Sequence, residues 1–226
     1  MKASKSILIL ATLITIFSCS ETPSSFIIAR PGTYKNSQPY ATQKDNAWSK
    51  NACGAFSMAY LLAENGQIKS SDVIPVAKEI YKKIKFDSAA GFGDYSDPFK
   101  IAKKSAPFAS SISFKMNLQT PASKGEKLAM LLTKKFNTSS LENMTSIETE
   151  LKKNEYVIEI VVPSPNVNLN NPMKNPLHYV LTYWKNGELY TLDPGRGKEE
   201  LRENFINGKI RSWNFCNAGI FITPKK

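Results

Sequence analysis

The stretch from residue 156 to residue 193 constrains the fold more than any other part of the chain. Residues 156–162 (YVIEIVV) are apolar and β-branched, the composition of a buried strand. Residues 178–184 (HYVLTYW) and 188–192 (ELYTL) have the same character. They flank Lys185-Asn186-Gly187, where Asn-Gly supplies the positive φ angles of a tight hairpin turn. Asn- and Pro-rich residues 163–176 make a long loop between the first strand and this hairpin, and residues 218–223 read as a last strand. Upstream the pattern is helical. Strands gathered after helices, rather than alternating with them, predict an α+β fold with an antiparallel sheet.

The helical half can be placed roughly. From Cys53 the residues Phe56, Ala59, Tyr60 and Ala63 fall on one face of a helix that Asn65-Gly66 would end. A second helix follows Ser70-Ser71, with Pro75 in its first turn and a stripe of Val73, Val76, Ala77, Ile80, Tyr81 and Ile84. Residues 87–98 form a Gly- and Asp-rich loop, and Asp97-Pro98 starts a short helix. Residues 112–117 suggest a strand. Helices are expected over 125–136, 140–153 and 198–206.

Composition narrows the chemistry. With one histidine in 226 residues, an HExxH zinc site or a three-His cage is excluded, and no cluster of metal or cofactor ligands is evident. Three cysteines are too few for a disulfide scaffold. Imidazole chemistry therefore falls to His178, the first residue of the hairpin. Its arms of seven and six residues make His178 and Asp193 near neighbours across the ladder. A carboxylate there accepts from one ring nitrogen and leaves the other as a base for a thiol. Cys53, at a predicted helix start, is the candidate thiol. A helix N-terminus favours an anion there, and its unpaired N–H groups can hold an oxyanion. Gly54 is expected to let a substrate backbone approach.

The order Cys53, His178, Asp193 resembles that of papain-like cysteine peptidases, and within them the bacteriocin-processing (double-glycine leader) peptidase-like family. The resemblance is carried by NACGAFSMAYLL (51–62), by IETELKKNEYVIEIVV (147–162), and by HYVLTY (178–183) followed by YTLDP (190–194). Gly195-Arg196-Gly197, Phe205, Gly208 and Trp213 continue it. It spans residues 43–226 as one peptidase domain, with 66–145 as a helical elaboration. It implies that Cys53 is the nucleophile, His178 the general base and acid, and Asp193 the orienting carboxylate. A side-chain amide upstream of the cysteine would donate to the oxyanion. The usual glutamine position, six residues back, holds Ala47, which leaves Gln43 and Asn46 as candidates.

The N-terminus resembles a bacterial lipoprotein signal. Lys2 and Lys5 precede an apolar run over residues 7–17, about 16 Å as a helix and too short for a hydrocarbon core of about 30 Å. Ile16-Phe17-Ser18-Cys19 resembles a lipobox, implying removal of residues 1–18, lipidation of Cys19 and a tethering, lead-in segment over 19–42. Ordinary signal cleavage nearby, with Cys19 discarded, is the alternative. Either route exports the chain to the cell envelope. The expected activity is cleavage of a peptide or amide bond through a thioester, without cofactor or metal. An inactive surface lipoprotein that binds a partner and a thioester-based acyl or amide transferase are the alternatives. Cys216 is expected beside the last strand, or else in a disulfide with Cys53. The net charge of +11 fits solvated lysine faces or an anionic cell-envelope polymer as partner, and no nucleic-acid motif accompanies it.

Overall fold

Seven strands, among the described residues, form one sheet that frames the molecule. The computed structural model describes residues 28–87, 93–119, 121–133, 141–210 and 213–226. The expected signal segment (1–18) and Cys19 lie outside them. The strands are β1 (Ala109–Met116), β2 (Leu141–Asn143), β3 (Tyr156–Val162), β4 (His178–Lys185), β5 (Glu188–Leu192), β6 (Glu199–Leu201) and β7 (Asn214–Pro224), in the order β2-β1-β7-β3-β4-β5-β6. Only β1 and β2 pair in parallel; the other neighbours are antiparallel. The hairpin turns as the sequence predicts, with Asn186 at φ 53° and Gly187 at φ 85°. The α+β class follows directly.

The helices are α1 (Cys53–Glu64), α2 (Val73–Ile84), α3 (Pro98–Ser105), α4 (Lys124–Thr133), α5 (Ile147–Glu150) and α6 (Arg202–Ile206). α1 is buried on every side, not along one stripe: each residue from Cys53 to Ala63 is inaccessible. Its end is set by Gly66 at φ 66°, whose N–H donates to the Ala63 carbonyl, and by Asn36 Nδ2, which donates to Ala63 and Ile68. α3 starts where Asp97-Pro98 predicts, with Asp97 Oδ1 accepting from the N–H of Phe99 at 2.8 Å.

Two expected helices are each divided. Residues 140–153 hold β2 and then the short α5, because residues 141–143 pair with β1 and Ser146 caps a new helix by accepting from Thr149 N–H. Residues 198–206 hold the edge strand β6 before α6, since residues 199–201 pair with β5. Residues 28–42 do not hang loose. Ala29 N–H donates to Gln67 O, Tyr40 N–H donates to Gly197 O, and Tyr40 is buried.

One face of the sheet carries two separate apolar clusters. α1, α2 and α3 cover the first, which includes Phe114, Leu181, Ile220 and Ile222. α4 and the 163–177 loop cover the second, around Met116, Cys216 and Ala218. The other face packs under α5 (Ile147, Val157, Phe221) and under α6 (Val161, Val180, Phe205, Trp213). Between α5 and α6, Glu159 is fully buried in a two-pronged pair with Arg202, at 3.0 Å from Nε and 2.7 Å from Nη2; Thr182 Oγ1 donates to it at 3.2 Å and Glu148 also pairs with Arg202. Removing one partner of such a pair strands a buried charge. Glu159→Ala should therefore cost roughly 3–5 kcal/mol in urea unfolding, while Glu159→Leu combined with Arg202→Met should recover most of that.

Candidate active site

The site sits at one end of the sheet, where helix α1 and strand β4 both begin. Cys53 is the first residue of α1 and His178 the first residue of β4. Leu181 pairs with Leu192 and Thr182 with Thr191, so Asp193 stands opposite Val180 and diagonal to His178 on the same face. Diagonal pairs of this kind are about 7–8 Å apart along the backbone, within reach of an imidazole and a carboxylate. The side chains close that gap: His178 Nε2 lies 2.8 Å from Asp193 Oδ1. The Gly195 N–H donates to the same oxygen at 2.7 Å, closing a turn around the carboxylate. Asp193 is completely buried and His178 nearly so.

With Nε2 held by Asp193, Nδ1 is the nitrogen left for the thiol, and the Cys53 side chain lies close enough to the ring to help raise its pKa. The structure thus brings all three predicted residues together. Burial alone would push the ring's pKa down. The ring's hydrogen bond to Asp193, its interaction with the nearby Cys53 side chain and the charge of Asp193 outweigh it and push the pKa up from 6.5 to about 9. Cys53 and Cys216 are both free thiols, so the disulfide alternative does not hold. Cys216 is buried in β7, and that burial pushes its pKa upward, leaving it a neutral thiol.

Gln43 and Asn46 lie on the segment leading into α1. Gln43 opens a turn of 3-10 helix (Gln43–Asp45) and its N–H donates to Pro194 O at 2.9 Å, next to Asp193. Ser49 Oγ donates to the Gln43 and Asn46 carbonyls and ties the two together. Gln43 Oε1 and Asn46 Nδ2 are both buried without a hydrogen-bond partner.

Gly54 has a different job from the one the sequence suggests. A Cβ there would stand 2.8 Å from Ile101 Cδ1 and 2.9 Å from Ser96 Oγ. The missing side chain lets the protein's own α3 region close on α1, so the space is not open to a substrate backbone. Two neighbours of the site went unassigned from sequence. Trp213 meets His178 edge to face at 5.7 Å and stacks on Phe205 at 4.4 Å, fixing one side of the ring. Tyr179 donates its hydroxyl to Ser96 O at 3.0 Å, tying β4 to the loop beside Gly54. Trp213 had a signal, its place after the short helix; Ser96 had none.

Comparisons with protein-family profiles, with curated proteins and with solved structures give no match for this chain. Its class therefore rests on what the fold and site define: an α+β protein in which a helix-terminal cysteine sits beside a histidine that is hydrogen-bonded to a buried aspartate.

A group whose pKa is higher folded than unfolded stabilises the fold fully below its unfolded pKa and loses that contribution as pH rises through the folded one. The stability advantage of the native chain over His178→Gln should therefore be largest below about pH 6.5 and shrink until about pH 9. Thermal melts at closely spaced pH values would read it; a difference independent of pH across that window would remove the charged ring from the cluster.

Proposed function

We propose that the chain is an exported, papain-like thiol hydrolase that cleaves a peptide or amide bond through a Cys53 thioester. The observation that carries this reading is the placement of Cys53, at the first turn of a buried helix, beside a His178 ring whose Nε2 lies 2.8 Å from the buried Asp193 carboxylate.

In the forward step the Cys53 thiolate adds to the carbonyl carbon and the oxygen takes the negative charge. The N–H groups at the start of α1 face the place where that charge develops. Gln43 and Asn46 are the candidate amides to share it. Collapse breaks the carbonyl–nitrogen bond, and His178 gives its proton to the departing amine. His178 then takes a proton from water as the water attacks the thioester, releasing the acid and restoring the thiolate and the charged ring. An amine in place of water would make the same thioester a transferase intermediate. Asp193 keeps the ring in the one orientation in which Nδ1 points at sulfur.

Localisation is part of the proposal. Residues 1–18 would direct export and Cys19 would carry a lipid, with the rest of the chain outside the cytoplasm. No helix among the described residues is long and apolar enough to cross a membrane. Replacing Cys19 by Ala should move the protein from the membrane fraction to the soluble fraction without altering its activity.

Hydrolysis of a fluorogenic peptide amide panel tests the chemistry. Cys53→Ala and His178→Ala should abolish turnover, Asp193→Asn should lower kcat by about 10²–10⁴-fold, and Cys216→Ser should leave it near the native value. For the native chain kcat/KM should fall on the alkaline side near pH 9, as His178 loses the proton it must donate. Asp193→Asn should bring that fall to lower pH. Turnover that survives Cys53→Ala would end the thiol-hydrolase reading.

A further inference from the structure

The two apolar clusters on the helical face of the sheet do not merge. Ile160 and Leu141 pack against both, and at the seam lies a cavity of about 300 Å³. Phe114 and Met116 of β1 and Cys216 of β7 make its floor, Leu132 of α4 one wall, and Met173 and Leu177 of the 163–177 loop another. No charged side chain is found among the described residues that line it. Its polar side chains are largely committed elsewhere. Asn175 donates to the Asn168 and Pro172 carbonyls and accepts from Asn168 N–H, Thr133 Oγ1 donates to Met130 O, and the Tyr179 hydroxyl donates to Ser96 O.

Among the buried polar side chains of the lining, Ser96 Oγ is the exception. It is buried, lines the cavity, and has no hydrogen-bond partner. It also packs on Gly54, the residue after the candidate nucleophile. On the other side Leu177 and Tyr179, which bracket His178 in sequence, both line the cavity. The apolar space therefore reaches the residues next to the candidate thiol and imidazole in the chain, Ser96 against Gly54 on one side and Leu177 and Tyr179 on the other, although neither Cys53 nor His178 lines it.

Resting on the thiol-hydrolase reading above, we propose that this cavity is an acyl-chain pocket, and that the substrate carries an unbranched aliphatic acyl group on its scissile carbonyl. A cavity of about 150 Å³ is filled by benzene, so this one has room for roughly twice as many carbons, on the order of ten to twelve. That exceeds a single leucine or phenylalanine side chain. A peptide would also need main-chain partners along its length, which a lining of committed polar groups does not offer. An alkyl chain needs none, and the unbranched, adaptable side chains of Met116 and Met173 suit it. The tail would lie in the cavity with the carbonyl at Cys53 Sγ and Ser96 Oγ donating to an oxygen of the head. In the step, a bond forms between sulfur and the acyl carbon as the carbon–leaving-group bond breaks. His178 hands its proton to the leaving group, and water then releases the fatty acid and regenerates the thiolate.

Hydrolysis of p-nitrophenyl esters from acetyl to hexadecanoyl by the full-length chain tests this, alongside calorimetric titration of decanol into the Cys53→Ala chain. We expect kcat/KM to rise about fourfold per added methylene up to about ten carbons and then level. Ala129→Phe, which intrudes from α4, should shorten the optimum and leave the acetyl ester unaffected. Leu132→Ala, which enlarges the same wall, should lengthen it, so that one poorly folding variant does not decide the matter. Decanol should bind Cys53→Ala and not the chain carrying both Cys53→Ala and Ala129→Phe. Cleavage of acetyl ester and peptides with no chain-length dependence would overturn the acyl pocket and leave the hydrolase standing. A preference confined to a large apolar residue within peptides would overturn it in favour of a side-chain subsite. Decanol binding with no turnover of any ester or peptide amide would support the pocket and overturn the hydrolase.

Discussion

The Asp193 carboxylate has no exposure to solvent, and the site is organised around that fact. A buried carboxylate is tolerated only where charge or hydrogen bonds replace lost water. Here a single oxygen, Oδ1, accepts from His178 Nε2 and from the Gly195 N–H, so one atom fixes both the imidazole and the turn that follows β5. The turn in turn receives the segment before α1: Pro194 O accepts from Gln43 N–H, and Gly197 O from Tyr40 N–H. Gly197 has φ 71° and lies against Tyr40 so closely that a side chain would displace it. The carboxylate thus holds the histidine directly and the lead-in to the cysteine at second hand.

This arrangement explains why the cluster forms at the end of the sheet and nowhere else. Cys53 belongs to a helix on one face, while His178 shares its side of β4 with Val180 and Thr182, on the face covered by α5 and α6. Residues on opposite faces can meet only where the sheet stops, and both are first residues of their elements. The buried Glu159–Arg202 pair lies farther along the same strands, reaching through Thr182 and Thr191 to the hairpin that carries His178 and Asp193. It anchors that hairpin's face to α6, and α6 presents Phe205 to Trp213, which holds the histidine ring.

The features that were legible in the sequence are those encoded locally. The Asn186-Gly187 turn sets the hairpin register, and the register alone puts Asp193 diagonal to His178. Asp97 and Gly66 mark helix ends for the same reason. What escaped depends on residues far apart in the chain. Residues 141–143 and 199–201 carry no strong strand signal and become strands because β1 and β5 offer them edges. Gly54 looked like an approach for substrate because nothing near it in sequence shows that Ser96 and Ile101 occupy that space. The cavity is the extreme case. It exists because α1–α3 and α4 cover adjoining parts of one sheet face without meeting, which no window of residues records.

The length of chain between Cys19 and Ala29 bears on where a lipid on Cys19 would place the site relative to a membrane. Ala29, ten residues on from Cys19, is already fixed by its hydrogen bond to Gln67 O, just past the end of α1. Ten residues span at most about 35 Å, so a lipid on Cys19 would hold that end of α1 within roughly a domain's diameter of the bilayer surface. Cys53, the proposed nucleophile, lies at the opposite end of the same helix, about 17 Å away for twelve residues. A tether of that kind, as proposed above, would keep the site close enough to meet molecules that partition into the membrane, where an apolar acyl chain is concentrated. A substrate diffusing freely in water would gain nothing from such a tether, whereas one confined to the bilayer surface would, so the proposed anchor and the proposed acyl pocket favour the same class of molecule.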